Sequence, residues 1–363
     1  MSKVKKTDKF LKLIEEHKDQ KKADRFNGVL SGYLAVLEKD TGVAKLAHKR
    51  LYDAIQSKGI TRMSTTDSRC NKLFGGEEVR TYDYFQDSFF GMERSLAKIM
   101  RFLRSASLRG EESRQVLLLL GPVGAGKSAL LGRIKGALET CPPMYHINNI
   151  KVEGDLCPVC RFRLKDEFNN DYTAMPVTQS SFSVRGRRGV GVVPPMDANS
   201  QDVTILIGSE DISKLDLYSE DDPRVLSLNG AFNVGNRGIV EFVEVFKNEI
   251  EFLHTMITAT QEKSVPSPGK GPMIYFDGVI LAHCNEGEWN KFKSENTNEA
   301  ILDRIVRVNI PYCLEYSEEQ KIYEKMLGLS DFDGHIAPHT LEIASMFAVL
   351  SRLHLSNKVD PLT

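Results

Sequence analysis

The stretch that decides the fold runs Val116-Leu-Leu-Leu-Leu-Gly-Pro-Val-Gly-Ala-Gly-Lys-Ser128. Val116 to Leu120 is a continuous apolar run bounded by polar residues and glycine, which predicts a strand covered on both faces. Gly121 to Ser128 then matches the full G-x-x-x-x-G-K-[ST] pattern of a phosphate-binding loop. Gly121, Gly124 and Gly126 let backbone N–H groups converge on a phosphate, where side chains would block the approach, and Pro122, Val123 and Ala125 complete the loop. Lys127 has the reach for the β- and γ-phosphates of a nucleotide, and Ser128 offers a hydroxyl to Mg²⁺. Ala129 to Leu138 reads as a helix whose positive N-terminal end faces the same anion. Strand, glycine turn and helix in that order open a parallel α/β domain.

Downstream, Ile239 to Val245 predicts a strand carrying Glu241 and Glu244. A carboxylate is needed there to orient a lytic water. An ordinary acidic strand of this kind ends in Asp-Glu, whereas here Val243 precedes Glu244. Glu244 is the preferred general base or water-orienting group, and Glu241 is the alternative carboxylate on the metal side; two exposed glutamates at a strand end are the bland alternative. A further buried strand, Val279 to Ala282, leads into His283-Cys-Asn-Glu286, where Asn285 can present its amide to the attacking water or the γ-phosphate or simply form a turn. Arg304 stands just before a strand over Ile305 to Ile310, in position to reach a neighbouring subunit's γ-phosphate; a salt-bridged surface arginine is the alternative for it and for Arg307.

Around this core, residues 1–85 read as a helical peripheral segment, with apolar residues at three- and four-residue steps from Leu30 to Ile55, a break near Thr41-Gly42 and a loop-like stretch from Gly59 to Gly76. Residues 86–312 form the core and begin with a helical face of Met92, Leu96, Ile99, Met100 and Leu103. Within them, about 141–235 lacks periodicity, is rich in Pro, Gly, Asp and Ser, and reads as a long insertion with short strands. Residues 313–363 read as a helical lid that starts with a capping box, Ser317-Glu-Glu-Gln320. No window approaches the roughly 18 uninterrupted apolar residues of a membrane span, and the charged start lacks a signal peptide's apolar core. A cytoplasmic location is the expectation. Lys plus Arg (48) nearly balances Asp plus Glu (49), so net charge points to no nucleic-acid partner; the lysines before residue 25 read as a solvated helix face.

Taken in order, the phosphate loop, acidic strand, strand-end Asn, Arg and helical lid resemble an AAA+ ATPase. Longer stretches narrow the resemblance to the PrkA-type family, usually called serine protein kinases: Leu46-Ala-His-Lys-Arg-Leu-Tyr-Asp, Asn236-Arg-Gly-Ile-Val-Glu-Phe-Val-Glu, Phe276-Asp-Gly-Val-Ile-Leu-Ala-His-Cys-Asn-Glu and His335-Ile-Ala-Pro-His-Thr-Leu-Glu, besides the loop itself. The resemblance covers nearly all of the chain from about Ser31. It implies a P-loop AAA+ core, ATP and Mg²⁺ as cofactors, contact of Gly121 to Ala129 with the nucleotide, a sensing role for Asn285, a finger role for Arg304, and a homo-oligomeric ring, hexameric by analogy, acting on a protein substrate. Arg352 is a candidate second sensor. Family members continue into a further domain said to resemble a kinase core. The residues present here contain no kinase Gly-rich loop, His-Arg-Asp or Asp-Phe-Gly, and Asp331-Phe-Asp-Gly334 has one residue too many. Kinase activity proper, a non-hydrolysing switch and an unfoldase or protease-like machine are the rivals to ATP hydrolysis.

Weaker signals remain. Cys157-Pro-Val-Cys160 has zinc-knuckle spacing, but zinc needs four ligands, and Cys141 and His146 complete a set only with irregular spacing. Two reduced cysteines in a turn are the alternative. Arg185-Gly-Arg-Arg-Gly189 reads as a basic loop, solvated or touching a protein substrate, and His254 and His283 read as structural.

Overall fold

A computed structural model of the chain describes residues 26–63, 79–147, 150–151, 156–195, 202–219, 222–269 and 271–353. The lysines before residue 25, and the whole of the loop-like stretch beyond Met63, lie outside the described residues. At the centre is a five-stranded sheet of β1 (Val116–Leu120), β2 (Val190–Val193), β3 (Ile239–Phe242), β4 (Val279–Cys284) and β5 (Ile305–Asn309), in the order β5-β1-β4-β3-β2. Every pairing within it is parallel. Such a sheet needs cover on both faces, which is why β1 is apolar throughout. Alternation splits its side chains: Val116, Leu118 and Leu120 join Val240, Phe242 and Ile280 on one face, while Leu117 and Leu119 join Ile239, Val279 and Leu281 on the other.

The second face is covered by α1 (Ala47–Gln56), α2 (Glu93–Ser107) and α3 (Lys127–Leu138), through Leu51, Ile55, Ile99, Leu103, Leu130 and Ile134. The first is covered by α4 (Ile250–Gln261), through Phe252, Leu253 and Met256, and by residues of a separate antiparallel sheet. After β4 comes α5 (Glu286–Lys293), and after β5 two helices packed on each other, α6 (Tyr316–Gly328) and α7 (Thr340–Arg352). No helix among the described residues is long and apolar enough to cross a membrane.

Four local expectations change. The segment before residue 86 contains strands Asn27–Val29, Ile60–Met63 and Val79–Tyr82 as well as helices. Three or four residues are too few to display a period of two, and Asn27 pairs with Thr178, far along the chain. The stretch 141–235 is not insertion throughout: it supplies β2, an edge strand of the central sheet. Gly191 interrupts that strand's apolar run because a Cβ there would lie 2.2 Å from the Ala231 carbonyl oxygen. The acidic strand ends at Phe242, with a short 3-10 turn over Val245–Lys247 before α4 begins at Ile250. The capping box is not formed either: α6 starts two residues early with Glu315 as N-cap, and Ser317 Oγ donates to Glu315 Oε1 at 3.1 Å.

A buried ion pair fastens α1 to the base of the sheet. Arg237, 1% exposed, donates to Asp277 Oδ2 at 2.8 Å and to the carbonyls of Ala44 and Lys45 at 3.0 and 2.9 Å. The same Asp277 oxygen accepts from the Ala47 N–H at 2.9 Å, so one carboxylate both neutralises the guanidinium and caps the start of α1.

Candidate nucleotide site

The phosphate loop leaves the C-terminal end of β1, and a cleft of about 330 Å³ opens between it and the ends of β3 and β4. Crevices at the carboxyl ends of parallel strands are where such sheets bind ligands. Gly124 and Gly126 both have φ of +83°, a conformation that glycine adopts without strain. A Cβ on either would meet nothing within 4 Å, so the space above the loop is open. Gly121 answers a different need, since a Cβ there would sit 2.1 Å from the Ile310 carbonyl oxygen, where the chain leaves β5.

Lys127 is folded back onto its own loop, with Nζ donating to the carbonyls of Gly121 and Pro122 at 2.6 and 2.7 Å. Burial pulls its pKa below the ordinary lysine value, while Cys284 and Glu244 push the other way. Ser128 and Ala129 line the cleft on the first turn of α3, whose N-terminus carries no side-chain cap. Loop, open volume and helix end together fit a phosphate group.

Glu244 lines the cleft too. It is held in the left-handed region at φ 47°, a conformation that costs a non-glycine residue about 1–2 kcal/mol, and its carboxylate pairs with Lys247. Glu241 does not join it. Its side chain is buried on the α3 face of the sheet, paired with Lys135, and it is not among the residues lining the cleft. Glu244 stands beyond the strand's end at Phe242, and only it of the two glutamates lines the cleft. Asn285 also lines the cleft, and its Oδ1 caps α5 by accepting from the Glu288 N–H at 2.9 Å. Turn-forming and cleft-lining roles thus coincide in one side chain.

Arg304 lies elsewhere. The register Ile305↔Val116 to Asn309↔Leu120 puts it at the opposite end of β5 from the phosphate loop, roughly 17 Å along the strand. There its guanidinium faces the side-chain amide of Gln261. Arg307 stacks over Trp289 at 5.7 Å.

A family model described as the PrkA AAA domain matches residues 28–153 and 143–360. The chain belongs to that family. Among curated relatives, "ATP-dependent protease PrkA" of Bacillus subtilis (strain 168) is 34% identical over 382 residues, a match that covers 96% of this chain and 58% of that protein. "Serine/threonine kinase YeaG" of Escherichia coli (strain K12) is 35% identical over 359 residues, covering 89% of this chain and 55% of that one. The chain therefore spans a little over half the length of these relatives. Among solved structures, the Saccharomyces cerevisiae Hsp104–ADP complex aligns with 78% of this chain and 36% of its own at a TM-score of 0.41 and 15% identity. The magnesium chelatase BchI–BchD complex aligns with 74% and 72% at 0.41 and 14%.

In this PrkA AAA-family chain the sequence reading missed His283, Cys284 and Tyr312 at the site. His283, read as structural, lines the cleft and lies 3.9 Å from Glu241 Oε1. Burial pulls its pKa below the usual histidine value, against the pull of Glu241. Period-two alternation back from Asn285 was the available signal. Tyr312 follows β5 directly, and its hydroxyl donates to the carbonyl of Val123 in the loop at 2.6 Å. Its ring lies 5.2 Å from the guanidinium of Arg352, which is held by both carboxylate oxygens of Glu319 at 2.7 and 2.8 Å. Arg352 thus reaches the phosphate loop through Tyr312. Among the described residues no three His, Cys, Asp or Glu side chains gather as a metal site. Cys157 instead caps a helix by accepting from the Cys160 N–H at 3.3 Å, and the hydrogen bond between the two thiols lowers the pKa of Cys157 and raises that of Cys160. Cys141 lies against the carbonyls of Ala137 and Arg50, apart from that pair. Arg185 to Arg188 form an exposed turn leading to β2, and His254 is exposed on α4.

Proposed function

We propose that the chain binds and hydrolyses Mg–ATP as the AAA+ module of a PrkA-type protein, and couples turnover to action on a protein substrate. The observation that carries this reading is the convergence of Lys127, Ser128, Glu244 and Asn285 on one cleft beside an open phosphate loop. Lys127 exchanges the two loop carbonyls for anionic phosphate oxygens, so that both partners of its hydrogen bonds are charged instead of the donor alone. Ser128 holds Mg²⁺, which supplies neutralising charge to the β- and γ-phosphates. Glu244 orients the attacking water and accepts its proton, and the Asn285 amide nitrogen donates to the γ-phosphate while its oxygen stays engaged in the cap. Arg304, remote from its own loop, serves the cleft of a neighbouring subunit in a ring. The two relatives' names, a protease and a kinase, differ in chemistry but both imply action on a protein. Transfer of label from ATP to protein, absent in Lys127→Ala, would support the kinase rival.

One observation favours a second reading, an ATP-binding oligomeric switch: both glutamates of the acidic strand are engaged by lysines, Glu241 by Lys135 and Glu244 by Lys247. The test is phosphate release from ATP with Mg²⁺, for wild type and Glu244→Gln, with mass followed by light scattering. Turnover that disappears in the variant, with large assemblies forming on ATP, is the expected result. Tight binding without turnover in either protein would replace hydrolysis by the switch.

A further inference from the structure

A second concave surface, of about 540 Å³, lies between strand Val79–Tyr82 and α2 and shares no lining residue with the phosphate cleft. Five of its eight lining residues are cationic, namely Arg80, Arg94, Lys98, Arg101 and Arg104, and none is acidic. Arg80, Lys98, Arg101 and Arg104 are exposed and make no ion pair or side-chain hydrogen bond among the described residues. The chain as a whole carries a net charge of −1, so the groove is a local concentration rather than spill-over from a basic composition.

Burial of the opposite face fixes the row. Leu96, Ile99, Met100 and Leu103 anchor α2 in the core, so the helix cannot rotate its cations apart. Arg94, Lys98, Arg101 and Arg104 follow at steps of four, three and three residues, neighbours on one helix face at which like charges repel. They extend over roughly 15 Å of helix, and Arg80 adds a cation from the strand side. A fold keeps such a row at a cost to its stability unless an anion relieves it.

We propose that this groove binds a linear oligophosphate. Arginines predominate, and their planar fork matches phosphate oxygens in pairs. The row's length suits several phosphates in succession. Single-stranded nucleic acid would want exposed rings on which to stack bases, but the lining's single aromatic, Tyr82, is 6% exposed. An acidic peptide would meet the same arginines, and polyglutamate in the test below separates it from a phosphate chain. The site does not depend on how the nucleotide cleft is read.

The probe is fluorescently labelled inorganic polyphosphate, titrated by anisotropy into wild type, Arg80→Ala/Arg101→Ala, Arg80→Lys/Arg101→Lys and Lys127→Ala. Affinity should fall on the order of ten-fold or more in the alanine pair, fall less in the lysine pair, and persist in Lys127→Ala. It should also weaken steeply with salt. Unchanged affinity in the alanine pair overturns the proposal, as does loss in Lys127→Ala, which would assign the binding to the phosphate loop. Equal or tighter binding of a single-stranded oligonucleotide or of polyglutamate overturns it as well, because the groove would then be a general cationic surface.

Discussion

Replacing Arg237 by methionine should be among the most damaging single changes available away from the nucleotide cleft. The substitution roughly keeps the volume but removes the partner of Asp277 and the donors to the carbonyls of Ala44 and Lys45. Breaking a buried pair from one side costs about 3–5 kcal/mol, and each carbonyl left without its donor adds about 1 kcal/mol. Asp277 keeps the Ala47 N–H, which tempers the penalty, so about 4 kcal/mol is the working figure. At roughly 2–4 °C per kcal/mol for a large domain, Tm should fall by about 8–16 °C. Urea unfolding followed by circular dichroism measures the loss, and limited proteolysis should cut the segment around α1 first. Arg237→Met/Asp277→Leu should recover much of the stability, because no buried charge is then left alone. A loss below about 1 kcal/mol, the range of a surface pair, would refute the assignment, and so would a double variant whose cost equals the sum of the two singles.

Three further outcomes follow from named contacts. Tyr312→Phe removes the hydroxyl on the Val123 carbonyl, worth about 1 kcal/mol of loop order, so a fluorescent ATP analogue should bind roughly five-fold more weakly with little change in Tm; unchanged affinity would mean that the bond does not order the loop. Gly121→Ala drives a Cβ into backbone at Ile310 and should lose nucleotide binding and about 1–3 kcal/mol of stability, whereas Gly132→Ala, open on all sides within α3, should gain up to about 1 kcal/mol by urea midpoint. His48 is pushed down from 6.5 to about 4 by burial and then Lys263, against Asp277. The unfolded chain therefore binds the extra proton between those values, and stability falls as pH drops from 6.5 toward 4, by about 2 kcal/mol at pH 5. Urea midpoints at pH 7 and pH 5 should differ less in His48→Gln than in wild type; equal differences would remove His48 as the cause.

The parts of the fold that could be read in the sequence are those whose signal is local. Val116 to Leu120 announces a strand because both its faces are buried, and Gly121 to Ser128 carries its chemistry within eight residues. Glu244 and Asn285 were legible as polar residues at the ends of apolar strands, and the structure brings both to the cleft. What escaped was set by partners distant in sequence. Lys135 claims Glu241 across 106 positions, and Tyr312 reaches Val123 across 189. Val190–Val193 escaped because Gly191 gives its side-chain space to the Ala231 carbonyl and so breaks the apolar run. Ser317 mimicked a capping box because the pattern does not record that the helix begins at Tyr316.

The pairing of Asn27–Val29 with Pro176–Ser180 stitches the head of the chain into its middle. Trimming the protein to the five-stranded sheet by starting near residue 86 would unpick that seam. The main-chain groups of Pro176–Ser180 now satisfied by Asn27–Val29 would form a raw edge open to any passing strand, and Asp277 would lose the N–H of Ala47. The leading helices and strands are therefore a selvedge of the nucleotide-binding fold, and a shortened version should betray their loss by sticking to copies of itself.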